Sequence, residues 1–373
     1  MLIPFLDLTR QHREVEAELT AALARVMQSG LYTLGPEVEA FEKEWADFCG
    51  VRGAAAVGSG TDALALALIA SGAVRKGCRD EVITSPLTAA YTALAITGAG
   101  GVPVFADIDP RTLTLDPQSV EEAINPRTRA IVPVHLYGRR ADMTSLCGVA
   151  ERYNLAVIED AAQAHGAAPC GKLPGACGLA AVFSFYPTKN LGACGDGGAI
   201  VSNDLALIER IKTLRQGGHA TALQGKTEGR NSRLDEVQAA LLRVKLRYLD
   251  KWNLKRQSLA ALYNEALLKQ TALQTPLADE PGSHVYHLYV VQHPKREGLR
   301  AHLAARGIES MIHYPYLLHQ QPLFQRNEQR RLPTAERVVK NILSLPLYPQ
   351  MRVEEAVAVA KAVRDFEALK PQD

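Results

Sequence analysis

The sequence predicts an α/β protein: an open, mostly parallel sheet flanked by helices, followed by a smaller α+β unit. Three observations carry that expectation. Between Val51 and Ser202, short apolar runs, most of them β-branched, alternate with amphipathic or Ala-rich stretches long enough to be crossover helices. After Asn231 the texture changes to a long helical pattern and then to shorter mixed elements. The chain has 373 residues, 47% of them hydrophobic and 22% charged, enough core for about two domains at roughly 100 to 200 residues each. We place the large domain at 1–245, opening on a helical segment, and the small one at 246–373.

Taken in order, the expected strands are AAAV before Gly58, EVIT ending at Thr84, VPVFA ending at Ala106, AIVPV ending at Val134, LAVIE ending at Glu159, AVFSF ending at Phe185 and GAIVS ending at Ser202. Their nearly continuous apolar character is what strands covered on both faces require. TDALALALIA alternates like a strand, but Ala and Leu favour helix and a Gly-Ser-Gly-Thr turn precedes it, so it reads as helix. From Arg233 to Leu268, Leu or Val every three or four residues with mixed charge between them predicts one long helix. YHLYVVQ, a helix in HPKREGLRAHLAARG, the IHYPY segment and a last helix over 353–369 complete the small unit.

Composition excludes several functions. Lys plus Arg is 42 against 40 for Asp plus Glu, a net charge of +2, so no global field draws the chain to nucleic acid or an anionic membrane. No apolar run reaches the roughly 20 residues of a membrane span and no signal peptide is apparent, so the reading is cytoplasmic. Six scattered cysteines without a C-x-x-C pair argue against zinc, iron-sulfur and disulfide frameworks; no metal site is expected, and the thiols read as reduced and mostly buried.

Three places follow expected strands, where open α/β sheets gather ligands. Gly58-Ser59-Gly60-Thr61 opens a helix and could cradle a phosphate on free N–H groups, or be an ordinary capped turn. Asp160 could hold a proton on a heterocyclic nitrogen, or simply cap the next helix; Gln163 and His165 lie just beyond it. Lys189, in SFYPTKNLG, could be an imine-forming amine or a surface lysine. Together, an anion cup, an acid for a ring nitrogen and an amine for an aldehyde are the three handles of pyridoxal 5'-phosphate.

PFLDL, SGLYTLGPEVEAFE, GSGTDAL, IVPVHLYG, IEDAAQAHGA, FSFYPTKNLGACGDGGAIV, NSRLDEVQAALLRVKL, IHYPYLLH and SLPLYP resemble, nearly end to end, the DegT/DnrJ/EryC1/StrS sugar aminotransferases, fold-type-I pyridoxal phosphate enzymes. The resemblance implies Lys189 as the imine lysine and Asp160 as the ring-nitrogen partner. It implies Gln163 at the ring oxygen, with Ser184, Gly60 and Thr61 on the phosphate. It also implies that Asn231 reaches the phosphate of the neighbouring subunit in a homodimer with shared sites, and that His313, Tyr314, Tyr186 and Arg233 lie near the sugar. The segment from Gly225 to Arg233, carrying Lys226, Arg230 and Arg233, is polar enough to be such a shared loop. The implied reaction moves an amino group from an amino acid, L-glutamate by resemblance, to a nucleotide-linked keto sugar. SFYPTKNLG and LRVKLRYLDKWN resemble the 3-aminotransferases of dTDP-3-keto-6-deoxyhexoses.

One place departs from the family pattern. Ala89 stands where relatives carry an aromatic ring over the cofactor; either Tyr91, two residues on, takes that place, which is the reading we favour, or the stacking is weaker. Three alternatives remain open: a 4-keto sugar acceptor; a related sugar dehydratase, against which Lys189 argues, since that branch has His there; and a non-catalytic regulator on the same fold.

Overall fold

The computed structural model describes residues 2–168, 171–221, 224–225, 228–268, 272–277, 282–325 and 330–368. Cys170, Lys226 and Leu369 lie outside the described residues. Helices α1 (Leu8–Glu14), α2 (Glu16–Ser29) and α3 (Pro36–Cys49) precede a seven-stranded sheet. Its strands are β1 (Gly53–Val57), β2 (Glu81–Thr84), β3 (Val102–Phe105), β4 (Thr128–Val132), β5 (Ala156–Asp160), β6 (Ala180–Ser184) and β7 (Gly198–Ser202), in the order β1-β7-β6-β5-β4-β2-β3. The pairing is parallel except at β7, which runs antiparallel to both β1 and β6. Hence β1 points the same way as β6, and the ends of β1, β5 and β6 open on one edge of the sheet.

Helices α4 (Gly60–Ala70), α5 (Ala90–Gly98), α6 (Pro117–Ala123), α7 (Met143–Arg152) and α8 (Leu205–Leu214) connect the strands. The Ala-Leu alternation is a helix, as expected. Ser59 Oγ accepts the Asp62 N–H at 3.1 Å, and every residue from Ala63 to Leu68 is buried because β6, β7, α5 and α8 surround it. On the other face Phe41 and Trp45 of α3 pack against Phe183. A short pair, β8 (His219–Thr221) and β9 (Gln224–Gly225), leads to α9 (Glu236–Leu246) and α10 (Leu249–Leu267). The C-terminal unit comprises β10 (Tyr289–Gln292), α11 (Arg296–Ala304), α12 (Pro333–Val338), β11 (Ile342–Leu345) and α13 (Val353–Ala368). In its core Tyr263, Tyr289 and Val359 are joined by Ile3 from the start of the chain.

Three expectations need correction. β4 stops at Val132 rather than Val134, because Pro133 has no N–H to donate; its carbonyl instead accepts from Asp160 N at 2.9 Å. The single long helix is two, broken at Arg247 and Tyr248, since α9 packs on α2 and α3 whereas α10 packs on α13. The cysteines are not mostly buried: of the five described, Cys49 is buried, Cys147 half-buried, and Cys78, Cys177 and Cys194 are exposed. No helix among the described residues is long and apolar enough to cross a membrane.

Glu236 closes the start of α3 from the far side of the sequence. Its Oε1 accepts from Gly35 N (2.8 Å) and Val38 N (2.9 Å), and its Oε2 from Glu37 N (2.9 Å), where a carboxylate also meets the positive end of the helix. It is 1% exposed, so its loss strands donors away from water. Glu236→Ala should lower the free energy of unfolding by about 3 kcal/mol, and Glu236→Gln by less, read from the shift of the urea midpoint at unchanged slope. Equal midpoints for wild type and the alanine variant would reject this role.

Candidate active site

A cavity of about 890 Å³ opens at the shared strand edge, and Gly60, Thr61, Asp160, Gln163, Ser184 and Lys189 all stand on its wall. β5 ends in Asp160 and β6 in Ser184, so the sheet itself sets their separation. The first turn of α4 brings the Gly60 and Thr61 N–H groups, which have no intrahelical partners. The approach is tight. A Cβ on Gly60 would lie 2.7 Å from Ser184 Cβ, and one on Gly198 would lie 2.4 Å from the Ser59 carbonyl oxygen.

Asp160 is held from both oxygens: Oδ2 accepts from Thr92 Oγ1 at 2.8 Å and Oδ1 from Ala162 N at 3.1 Å. Lys189 sits in a turn closed by its N–H on the Tyr186 carbonyl at 2.8 Å. Burial pushes its ammonium down from 10.5 to about 8, against an opposing pull from the Asp160 carboxylate. The amine is therefore neutral in a substantial fraction near pH 8, as a nucleophile or proton acceptor must be.

Gln163 uses its amide on the protein. Oε1 accepts from Tyr137 N (2.7 Å) and Nε2 donates to Tyr314 Oη (2.9 Å), leaving one N–H of the amide for a ligand. Burial raises the Tyr314 hydroxyl to about 12. His313 lines the same wall, pairs through Nδ1 with Ser344 Oγ at 2.9 Å, and is pushed down to about 4, chiefly by burial and then by Lys189. Tyr91 and Tyr186 line the mouth with 66% and 52% of their surfaces exposed; Ala89 lines it as well.

Not every expected residue reaches the cavity. His165 is a core histidine, lying against Trp45, Phe183 and Phe185 at 5.3–5.9 Å between ring centres and pushed down to about 3 by burial. Asn231 and Arg233 are exposed and do not line their own chain's cavity. Their loop is nevertheless tied beside the first turn of α4: Ser232 Oγ accepts from Gly58 N (3.0 Å) and donates to Asp62 Oδ2 (2.8 Å), and Arg230 Nη1 meets Asp62 Oδ1 at 3.3 Å.

Other lining residues were not singled out from the sequence. Phe5 stacks on His313 at 5.5 Å, and its N–H is held by Glu309 Oε2 at 2.9 Å; PFLDL was the only signal for it. His287 is fixed by a chain of amides. Asn253 Nδ2 donates to the His165 carbonyl (2.8 Å) and Asn190 Nδ2 to Asn253 Oδ1 (2.8 Å), so Asn190 Oδ1 accepts from His287 Nδ1 (3.2 Å). Burial, then Lys189, holds His287 well below its ordinary value, so it is neutral with its proton on Nδ1.

Comparison with known proteins gives a consistent picture. A model of the DegT/DnrJ/EryC1/StrS aminotransferase family matches residues 13–364. The dTDP-3-amino-3,4,6-trideoxy-alpha-D-glucose transaminase of Streptomyces venezuelae is 45% identical over 366 residues, which cover 98% of this chain and 96% of that one. The solved structure of S. venezuelae DesV has a TM-score of 0.95 at 45% identity, covering 99% of both chains. That of NtdA from Bacillus subtilis, with bound cofactor PMP, has a TM-score of 0.91 at 32% identity over 99% of this chain and 86% of its own.

Proposed function

The chain belongs to the DegT/DnrJ/EryC1/StrS aminotransferase family and is an aminotransferase, and we propose that it uses pyridoxal 5'-phosphate to move an amino group from L-glutamate to C3 of a dTDP-3-keto-6-deoxyhexose. The observation that carries this reading is the single wall holding the Lys189 amine, the Asp160 carboxylate and the open first turn of α4. These residues fit the cofactor: Gly60, Thr61 and Ser184 would take its phosphate, Asp160 its ring nitrogen and Lys189 its aldehyde carbon. Bound there, pyridoxal phosphate supplies an electron sink for charge developing at the reacting carbon.

The protein's own residues do the rest. Asp160 would hold a proton on the ring nitrogen, and the Thr92 and Ala162 bonds keep the carboxylate aimed. Lys189 Nζ takes the proton from the donor's α-carbon and, in the second half-reaction, delivers one to C3 of the sugar. Gln163 would offer its remaining N–H to the ring oxygen, and Tyr91, on the cavity wall in the first turn of α5, would be the aromatic residue placed to cover the ring. His313, Tyr314 and Tyr186 stand where a sugar would enter. The C3 assignment is supported by the 3-amino sugar that the S. venezuelae relative is named for.

The test is direct. Purified protein given pyridoxal phosphate should develop a visible absorbance band that L-glutamate bleaches, and the product made from a dTDP-3-keto-6-deoxyhexose should carry nitrogen at C3. Amination of 4-keto sugars alone would overturn the C3 assignment.

The working unit in this reading is a homodimer whose sites are completed by Asn231 and Arg233 of the opposite copy, in keeping with their exposure beside the cup. Lys189→Ala subunits mixed with inactive Asn231→Ala/Arg233→Ala subunits should regain roughly a quarter of wild-type activity after exchange, since each heterodimer then holds one intact site. Demonstrated exchange without recovery would overturn the shared site.

A further inference from the structure

Arg256 of α10 lines the cavity with 3% of its surface exposed. Its Nη1 lies 3.0–3.4 Å from the carbonyl oxygens of Tyr286, His287 and Leu347, and its Nε has no hydrogen-bond partner. Buried Arg140 is answered by Glu159 and buried Arg215 by Glu42, but no carboxylate among the described residues lies within ion-pair reach of Arg256. Burial alone pulls it from 12.5 down to about 9, so it stays cationic at neutral pH, desolvated and met only by neutral dipoles. The three carbonyls hold one nitrogen, Nη1, of a planar group whose fork of donors matches a carboxylate.

We infer that Arg256 is the residue that recognises a carboxylate of the amino donor. The inference rests on the aminotransferase reading above. His287 links the cation to the chemistry: it lines the cavity together with Lys189 and Arg256, its carbonyl lies 3.4 Å from Arg256 Nη1, and burial keeps its imidazole neutral. A donor with its nitrogen at Lys189 can therefore extend a carboxylate past an uncharged imidazole to the guanidinium. The diphosphate of a nucleotide sugar is the competing anion. It is bulkier, and it suits the open mouth near Tyr91 and Tyr186 better than a wall position that is almost fully enclosed.

The experiment follows the donor half-reaction of the pyridoxal phosphate holoenzyme by bleaching of its visible band. Donors are L-glutamate, its α-amide and its γ-amide. Wild type should prefer L-glutamate to one of the two amides by on the order of 10²-fold, and the amide that fails identifies the carboxylate that is read. In Arg256→Gln that preference should collapse to below about 10-fold, and Arg256→Lys should restore part of it. A purely structural role would slow all three donors alike and keep the preference. Wild type that treats both amides like glutamate overturns the inference even if the variants do not fold, as does a variant whose KM rises for the keto sugar and not for the donor. If no amino acid bleaches wild type, the donor reading falls and the inference with it; if glutamate does and Arg256→Gln keeps the preference, the inference falls alone.

Discussion

Lys189→Ala is expected to lower turnover by at least about 10⁴-fold while leaving the far-ultraviolet circular dichroism unchanged. In the proposed reaction one atom, Nζ, serves both as the anchor for the aldehyde carbon and as the proton carrier, and proton transfer by a positioned side chain is by itself worth roughly 10²- to 10⁴-fold. The loss should be specific because the turn around Lys189 is held by backbone bonds, Lys189 N on the Tyr186 carbonyl and Ala193 N on the Phe185 carbonyl, which alanine preserves. Wild-type protein stripped of cofactor should capture pyridoxal phosphate faster as pH rises and level off above about 8. The folded-state value is depressed from 10.5, so the reactive neutral amine is populated from about 8 upward. Residual turnover near the wild-type rate would end the assignment.

Asp160→Asn should cost about 3 kcal/mol of barrier, on the order of 10²-fold in turnover, similar to removing a preorganised donor from an oxyanion site. With its oxygen on the Ala162 N–H, the amide can turn its NH2 toward Thr92 Oγ1, which then accepts instead of donating, so the variant removes the charge while keeping both contacts and nearly the same shape. A second readout has a defined sign. Because Asp160 holds the Lys189 value up, its neutralisation should move the capture profile to lower pH even as turnover falls. If most of the rate survives and the profile stays in place, Asp160 is only the cap for Ala162.

What the sequence revealed depended on range. Lys189, Asp160 and the Gly60-Thr61 turn each follow a strand, so local patterning was enough to find them. The residues that aim them come from elsewhere. Thr92 reaches Asp160 from the crossover between β2 and β3, Ser232 fastens the Gly58–Asp62 turn from far along the chain, and the Asn253-Asn190-His287 relay joins three segments that share no pattern. Nor could spacing divide α9 from α10, because an unbroken apolar period does not record which surface each half will meet. The cysteines misled for a related reason: a small, mildly apolar residue is usually enclosed, yet Cys78, Cys177 and Cys194 lie at the surface.

The sheet order also sets a timetable for synthesis. β1 lies at the sheet edge, and β7 is its one partner there. As the chain leaves a ribosome, the segment that becomes β1 emerges about 140 residues before its partner, a wait of roughly 7 to 30 s at about 5 to 20 residues per second. Throughout that interval an Ala-Val edge with unmet backbone groups stands beside the nascent Gly58–Thr61 turn, open to any other strand that offers itself. A chain released before Gly198 would carry an edge it cannot close, and it should partition to aggregates or chaperones, whereas release just after Ser202 supplies the missing ladder.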